Sequence, residues 1–199
     1  GYGSGEGQFI LPVALALDSL DRLYITDEYN HRITVFTGSG EFLHQFGVFG
    51  SAPGELNGPS GIAIDSNDNI FVADQHNHRI QKFDSKGKYV YGWGGFGSDV
   101  AQLNMPWGMA LDTEDNVYVA DWRHARIQKY DSEGNYITFF GSTGDGQGKL
   151  NRPSGVAIDN AGNVYVSDWS NHRVQIFDMH GTFLLNHRGE ATPSKWAQE

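Results

Sequence analysis

Four short runs of the chain are apolar at every successive position: Leu23-Tyr24-Ile25, Ile70-Phe71-Val72, Val117-Tyr118-Val119 and Val164-Tyr165-Val166. A strand wetted on one side alternates apolar with polar residues. Runs without alternation therefore predict strands in sheets that are covered on both faces. Further strand candidates flank each run. Around the second run they fall at 61–65, 69–74, 79–84 and 88–93, each of ordinary strand length. The turn after the first strand of each set reads D-S-L-D-R, D-S-N-D-N, D-T-E-D-N or D-N-A-G-N. Asp, Asn and Gly there tolerate left-handed backbone and bond their own main chain, which is turn chemistry. A calcium loop would need longer spacing and a Glu at its twelfth position. Between third and fourth strands stand Gly40, Gly87, Gly134 and Gly181, where positive φ is expected.

The pattern repeats in strict register. Pro12, Pro59, Pro106 and Pro153 each open a copy, and every such series steps by 47 residues without insertion or deletion. Asp18, Asp65, Asp112 and Asp159 form one series, Asp27, Asp74, Asp121 and Asp168 another, and Arg32, Arg79, Arg126 and Arg173 a third. A fixed period of this size marks a repeat architecture. Four-stranded antiparallel units sandwiched between like neighbours are the blades of a β-propeller. Ala16, Ala63, Ala110 and Ala157 supply small side chains suited to the crowded innermost strands. The blades are expected at 10–56, 57–103, 104–150 and 151–188. Residues 1–9 align with the exit loop of a full copy, Val48 to Leu56, and read as the tail of a preceding repeat.

Asn30-His31-Arg32-Ile33, Asn77-His78-Arg79-Ile80 and Asn171-His172-Arg173-Val174 each follow an aliphatic strand ending in Asp. In these runs the chain resembles the NHL-repeat family, over nearly its whole length. The third copy departs, reading His124-Ala125-Arg126, with Ala where the signature His belongs. The resemblance implies an all-β propeller, most often six-bladed in that family. Six blades at this period would need about 282 residues, more than the 199 present. The fold expected is an NHL-type β-propeller of four four-stranded antiparallel blades in an incomplete ring. After Leu185 the period fails, and Thr192-Pro193 with the formers that follow reads as a helix start within 189–199. Similar bacterial proteins carry a helical insertion at this point before further blades. An open arc would expose the apolar faces of its end blades. These are expected to be covered by self-association with a second copy or by missing blades, the alternative being a closed four-blade ring.

Composition narrows the functional classes. No apolar run is long enough to span a membrane. The first residues show neither the basic nor the apolar segment of a signal peptide, though one could have been removed. There is no Cys, which fits a cytosol and a Cys-free secreted protein equally, so the compartment stays open. A net charge of −10 disfavours nucleic acid, whose binding rests on phosphate neutralisation, although an acidic whole can hide a basic patch.

The periodic Asp, Arg and His residues read as scaffold. A reaction centre needs a few dissimilar groups that converge, whereas a structural bond is needed once per blade. Arg is expected to bridge carboxylate or main-chain oxygens near the second turn. Lyases similar to NHL propellers carry zinc, but His31, His78 and His172 recur at the blade turn and match such a site poorly. No metal or cofactor is expected. The informative positions are those where the copies disagree within an intact frame. They lie just after the opening Pro (Val13, Ser60, Trp107, Ser154) and just after the second-strand Asp (Glu28-Tyr29, Gln75-His76, Trp122-Arg123, Trp169-Ser170). In a propeller both zones lie at one end, so Tyr29, His76, Trp107, Trp122, Arg123, His124 and Trp169 are expected to form an aromatic ligand-binding rim. The plain alternative is that Trp122 and Trp169 pack between blades.

The leading expectation is a noncatalytic module whose rim holds a protein, peptide or glycan. The chain has no G-x-S-x-G, no H-E-x-x-H and no phosphate loop. The alternative is a metal-dependent lyase or hydrolase at the channel, with His76, His124, Glu28 and the strand-end Asp residues as its only candidates. RNA binding, known among NHL proteins with basic top faces, is a second alternative that the charge disfavours.

Overall fold

A computed structural model describes residues 1–188; the helix start read at 189–199 lies outside the described residues. Sixteen strands form four antiparallel sheets, each ordered as in the sequence. Blade 1 comprises β1 (Pro12–Leu17), β2 (Leu23–Asp27), β3 (Arg32–Phe36) and β4 (Phe42–Phe46). Blade 2 comprises β5 (Pro59–Ile64), β6 (Ile70–Asp74), β7 (Arg79–Phe83) and β8 (Tyr89–Gly94). Blade 3 runs through β9 (Pro106–Leu111), β10 (Val117–Asp121), β11 (Arg126–Tyr130) and β12 (Tyr136–Phe140). Blade 4 holds β13 (Pro153–Ile158), β14 (Val164–Asp168), β15 (Arg173–Phe177) and β16 (Phe183–Arg188). The opening prolines are first strand residues, where a missing N–H costs the ladder least. β16 runs on to Arg188, past the point where the apolar period fails, because ladder pairing of Arg173 with Arg188 and Val174 with His187 needs no apolar side chain.

Local chemistry sets the turns. In the first hairpin of blade 2, Asp65 Oδ1 accepts the N–H groups of Asn67 and Asn69 at 2.9 and 2.8 Å, and Asp68 takes a φ of 62°. Between the second and third strands of blades 2 to 4 the chain makes one 3-10 turn: Gln75–Asn77, Trp122–His124 and Trp169–Asn171. The sequence indicates a turn there without its helical character. Each ends on a left-handed residue, His78, Ala125 or His172, with φ of 56°, 53° and 51°.

Apolar side chains fill three seams between consecutive blades. Tyr24, Ile33 and Val35 of blade 1 meet Ile62, Val72 and Phe83 of blade 2. Phe71 and Ile80 meet Val119 and Tyr130 in the second seam, and Tyr118 and Ile127 meet Val166 and Phe177 in the third. Among the described residues these clusters leave the arc open. Ile62 is 5% exposed, whereas Leu15, its equivalent on the outer face of blade 1, is 67% exposed.

Polar clasps lock the seams in register. Arg79 Nε donates to Asp74 Oδ2 at 2.7 Å, and its other nitrogens donate to the carbonyls of Ser51, Ala52 and Glu55 in the loop arriving from blade 1. Arg126 and Arg173 repeat this. Arg32 grips the carbonyls of Ser4, Gly5 and Gln8 in the same way, while its buried Nε has no partner. His31 Nδ1 accepts the Gly58 N–H at 3.0 Å, and its ring packs at a tilt against Phe49, with centroids 4.8 Å apart. His78 does the same for Met105 N–H at 3.1 Å, against Phe96 at 5.0 Å. Near the axis the inner strands approach backbone to backbone: a Cβ on Gly61 would lie 2.2 Å from the Trp107 carbonyl oxygen, and one on Gly108 2.3 Å from that of Ser154. At the far end of the channel Ser19 and Ser66 donate main-chain N–H groups to Asp68 and Asp115 of the next blade, at 2.9 and 3.0 Å. No helix among the described residues is long and apolar enough to cross a membrane.

Two outcomes follow from these contacts. Gly108→Ala is expected to destabilise the fold by about 1–3 kcal/mol, since β9 and β13 must separate to admit the methyl group; denaturant unfolding measures this, and an unchanged midpoint refutes the close approach. Burial holds the His31 and His78 imidazoles below their ordinary value of 6.5, and the nearby His76 charge presses the same way. A depressed folded value means that their contribution to stability is full above the unfolded value of about 6.5 and is lost as pH falls from there through the lower folded value. Protonated Nδ1 would also face an amide N–H as a second donor. Thermal melts between pH 7 and pH 5 should therefore fall less steeply for the His31→Ala, His78→Ala double variant than for the native chain.

Candidate functional site

The third seam lacks the imidazole clasp. Ala125 stands where His31 and His78 stand, Thr143 replaces Phe49 and Phe96, and Arg152 occupies the position of Gly58 and Met105. Asn77 is in turn replaced by His124, whose Nδ1 lies 2.9 Å from Asp121 Oδ2, where the Asn77 amide meets Asp74 in blade 2. His124 is thus held against the strand-end carboxylate of its own blade.

The same seam carries a cleft of about 510 Å³, lined by Trp107, Trp122, Ser154 and Trp169. The elements explain the convergence. Trp107 and Ser154 follow the opening prolines of β9 and β13, while Trp122 and Trp169 begin the 3-10 turns of blades 3 and 4. Both zones lie at one mouth of the channel, and Trp107 and Ser154 also border the adjoining opening between the inner strands. The Trp107 and Trp122 rings are 5.7 Å apart and inclined by 48°. Trp122 is 9% exposed and its Nε1 is buried without a hydrogen-bond acceptor, whereas Trp169 is 57% exposed.

Two guanidiniums flank these rings. Arg123 Cζ lies 4.6 Å from the Trp122 ring centre, and Arg152 Cζ lies 5.0 Å from Trp122 and 5.9 Å from Trp169. Among the described residues neither has a carboxylate partner, in contrast to Arg79, Arg126 and Arg173. No carboxylate lines the cleft. Arg152 also adopts φ of 57°, a left-handed conformation that glycine fills in blade 2.

The structure thus brings together Trp107, Trp122, Arg123 and Trp169 of the rim residues read from the sequence. Tyr29 is exposed on blade 1 and His76 on blade 2; His76 Nε2 lies 3.9 Å from Glu28 Oε1 across the first seam, and neither Tyr29 nor His76 lines the cleft. Arg152 was outside the sequence-based set. Its signal was there, as an in-frame disagreement just before an opening Pro, but its placement over Trp122 depends on a contact across a seam. Among the described residues no three His, Asp or Glu side chains gather as a metal-binding group. The cleft offers flat apolar faces, two guanidiniums lie over its tryptophan rings, and its lining holds no base beside its single hydroxyl.

Comparison with known proteins agrees with this architecture. Residues 12–93 match a family described as a 6-bladed beta-propeller, and residues 103–130 and 150–177 match the NHL repeat. No curated protein matches the chain. Among solved structures, a streptogramin B lyase superposes with a TM-score of 0.70 at 16% identity, over 92% of this chain and 55% of the other. Virginiamycin B lyase from Staphylococcus aureus gives 0.67 at 14% identity, over 89% and 55%. Hydrazine synthase of Kuenenia stuttgartiensis gives 0.68 at 15%, over 94% and 52%. The chain spans about half the length of these proteins, and at such identities the likeness concerns the fold alone. With its four in-register repeats, its Asp–Arg clasps and its NHL matches, the chain belongs to the NHL-repeat β-propeller family.

Proposed function

We propose that this chain is a noncatalytic binding module, which uses the aromatic rim at one mouth of the propeller to hold a protein, peptide or glycan. The observation that carries this reading is the cleft of three tryptophans at the one described seam that lacks the imidazole clasp. Trp is the side chain most often found as an interface anchor, and apolar clefts of this size hold ligands with a few polar groups fixing orientation. Rim loops on a rigid repeat frame are where such proteins place recognition.

A lyase reading draws on the names of two structural neighbours, with which this chain shares only a fold. It would require His76 and Glu28 to be joined by further ligands, and among the described residues none completes such a group. Metal analysis of the purified chain separates the two readings: a stoichiometric ion lost on His76→Ala would favour the enzyme.

Panning a peptide library and a glycan array against the native chain tests the proposal. Selected ligands should lose at least about tenfold in affinity on Trp169→Ala, while the melting temperature stays unchanged because this ring is largely exposed. Ligands indifferent to both Trp169→Ala and Trp107→Ala would refute the site. The uncovered outer face of blade 1, with Leu15 and Leu17, gives a second expectation. This face is proposed to be covered by a further sheet, so the 199-residue chain alone should self-associate in sedimentation; a stable monomer contradicts that.

A further inference from the structure

We infer that the cleft at the third seam takes an acidic peptide segment, with an aromatic side chain laid on the tryptophans and an adjacent carboxylate held by Arg123 and Arg152. This rests on the binding reading above and narrows it to one ligand chemistry.

The argument starts from how the arginines of this molecule are used. Arg79, Arg126 and Arg173 are spent on an Asp and on loop carbonyls, and Arg32 on loop carbonyls. Arg123 and Arg152 make no such bonds among the described residues and lie instead over Trp122. A guanidinium stacked on an indole keeps its N–H edges free, and those edges match a carboxylate two bonds at a time. Stacking also holds the fork in place before the ligand arrives, which lowers the entropy lost on binding.

Charge then selects among the ligands an aromatic cleft can hold. A neutral glycan would use the rings and leave both cations idle. The chain as a whole carries −10, yet no carboxylate lines this cleft, and the two guanidiniums over its tryptophan rings have no carboxylate partner among the described residues. Ser154 Oγ and the unpartnered Trp122 Nε1 add polar atoms at the same seam. The backbone at Arg152 is that of the repeat: its φ of 57° matches that of Met105 at the same position of blade 3, so the turn itself fixes where the Arg152 side chain starts. The cleft volume of about 510 Å³ suits one aromatic residue and its neighbour, and is too small for a globular surface.

The test uses two peptides, Ac-Glu-Phe-Glu-amide and its neutral counterpart Ac-Gln-Phe-Gln-amide, titrated calorimetrically into the native chain at low salt. The acidic peptide should bind at least about tenfold more tightly, and added salt should erase much of the difference. Arg123→Ser with Arg152→Gly, which install the residues found at these positions in blades 4 and 2, should abolish the preference without lowering the melting temperature. Trp169→Ala should weaken both peptides. Equal binding of the two peptides overturns the anionic preference and leaves the aromatic site standing. Binding of neither peptide overturns the inference, and the library experiment then decides the site on its own. Phenylacetate binding as tightly as the acidic peptide identifies a free aromatic acid instead, and an arginine-dependent preference for oligouridine identifies single-stranded RNA; either result overturns the peptide assignment.

Discussion

Everything in this molecule depends on sheets that are apolar front and back. Such a sheet cannot stand alone in water, and each buried strand residue gains stability only when a second sheet lies against it. The residues of β6 and β10 are all buried because each of these strands has a blade on either side. Leu15 shows the converse, exposed only because no blade is described beside it. Apolar contact is non-directional, however, and would let the blades slide. Register comes from the Arg–carboxylate and Arg–carbonyl clasps, from the imidazole–amide bonds and from the glycines that let the inner strands touch.

Much of this was legible before any coordinates. Asp27 and Arg32 and their equivalents announce the period, and the unalternating runs announce sheets covered on two faces. Strand ends came within about two residues, since Pro59 lies inside its strand rather than before it. The clustering of Trp107, Trp122 and Trp169 was also readable, because equivalent positions of a repeat must share one end of the molecule. What could not be read were consequences of contacts between copies. Ala125 breaks the signature visibly, but that this deprives the Arg152 amide of an acceptor depends on a meeting 27 residues along the chain, across a seam. His124 looks like a rim residue in the sequence and is drawn onto Asp121, because it stands in for the Asn of the other copies.

The repeat therefore serves two ends. Three strand-end aspartates are held by the same arginine fork, which leaves the frame tolerant of change at the positions in between. The chain departs from its own pattern most at one seam, and the departures fall together: the clasp imidazole and its phenyl ring are absent, and three indoles and two guanidiniums are present. Frame and cleft are separated in space: the Asp–Arg pairs of the clasps include neither Trp169 nor Arg123.

The opposite mouth of the channel has the reverse sign. Asp18, Asp65, Asp68, Asp112 and Asp115 line it, and Arg22, Lys82 and Lys129 balance three of these, leaving Asp68 and Asp115 as surplus negative charge. With the cationic edges of Arg123 and Arg152 at the other end, the molecule carries a polarity along its axis. An anionic ligand of the kind proposed would meet repulsion at one opening and attraction at the other before any contact formed. For such a ligand, orientation would be set during approach, at a rate that falls as ionic strength rises.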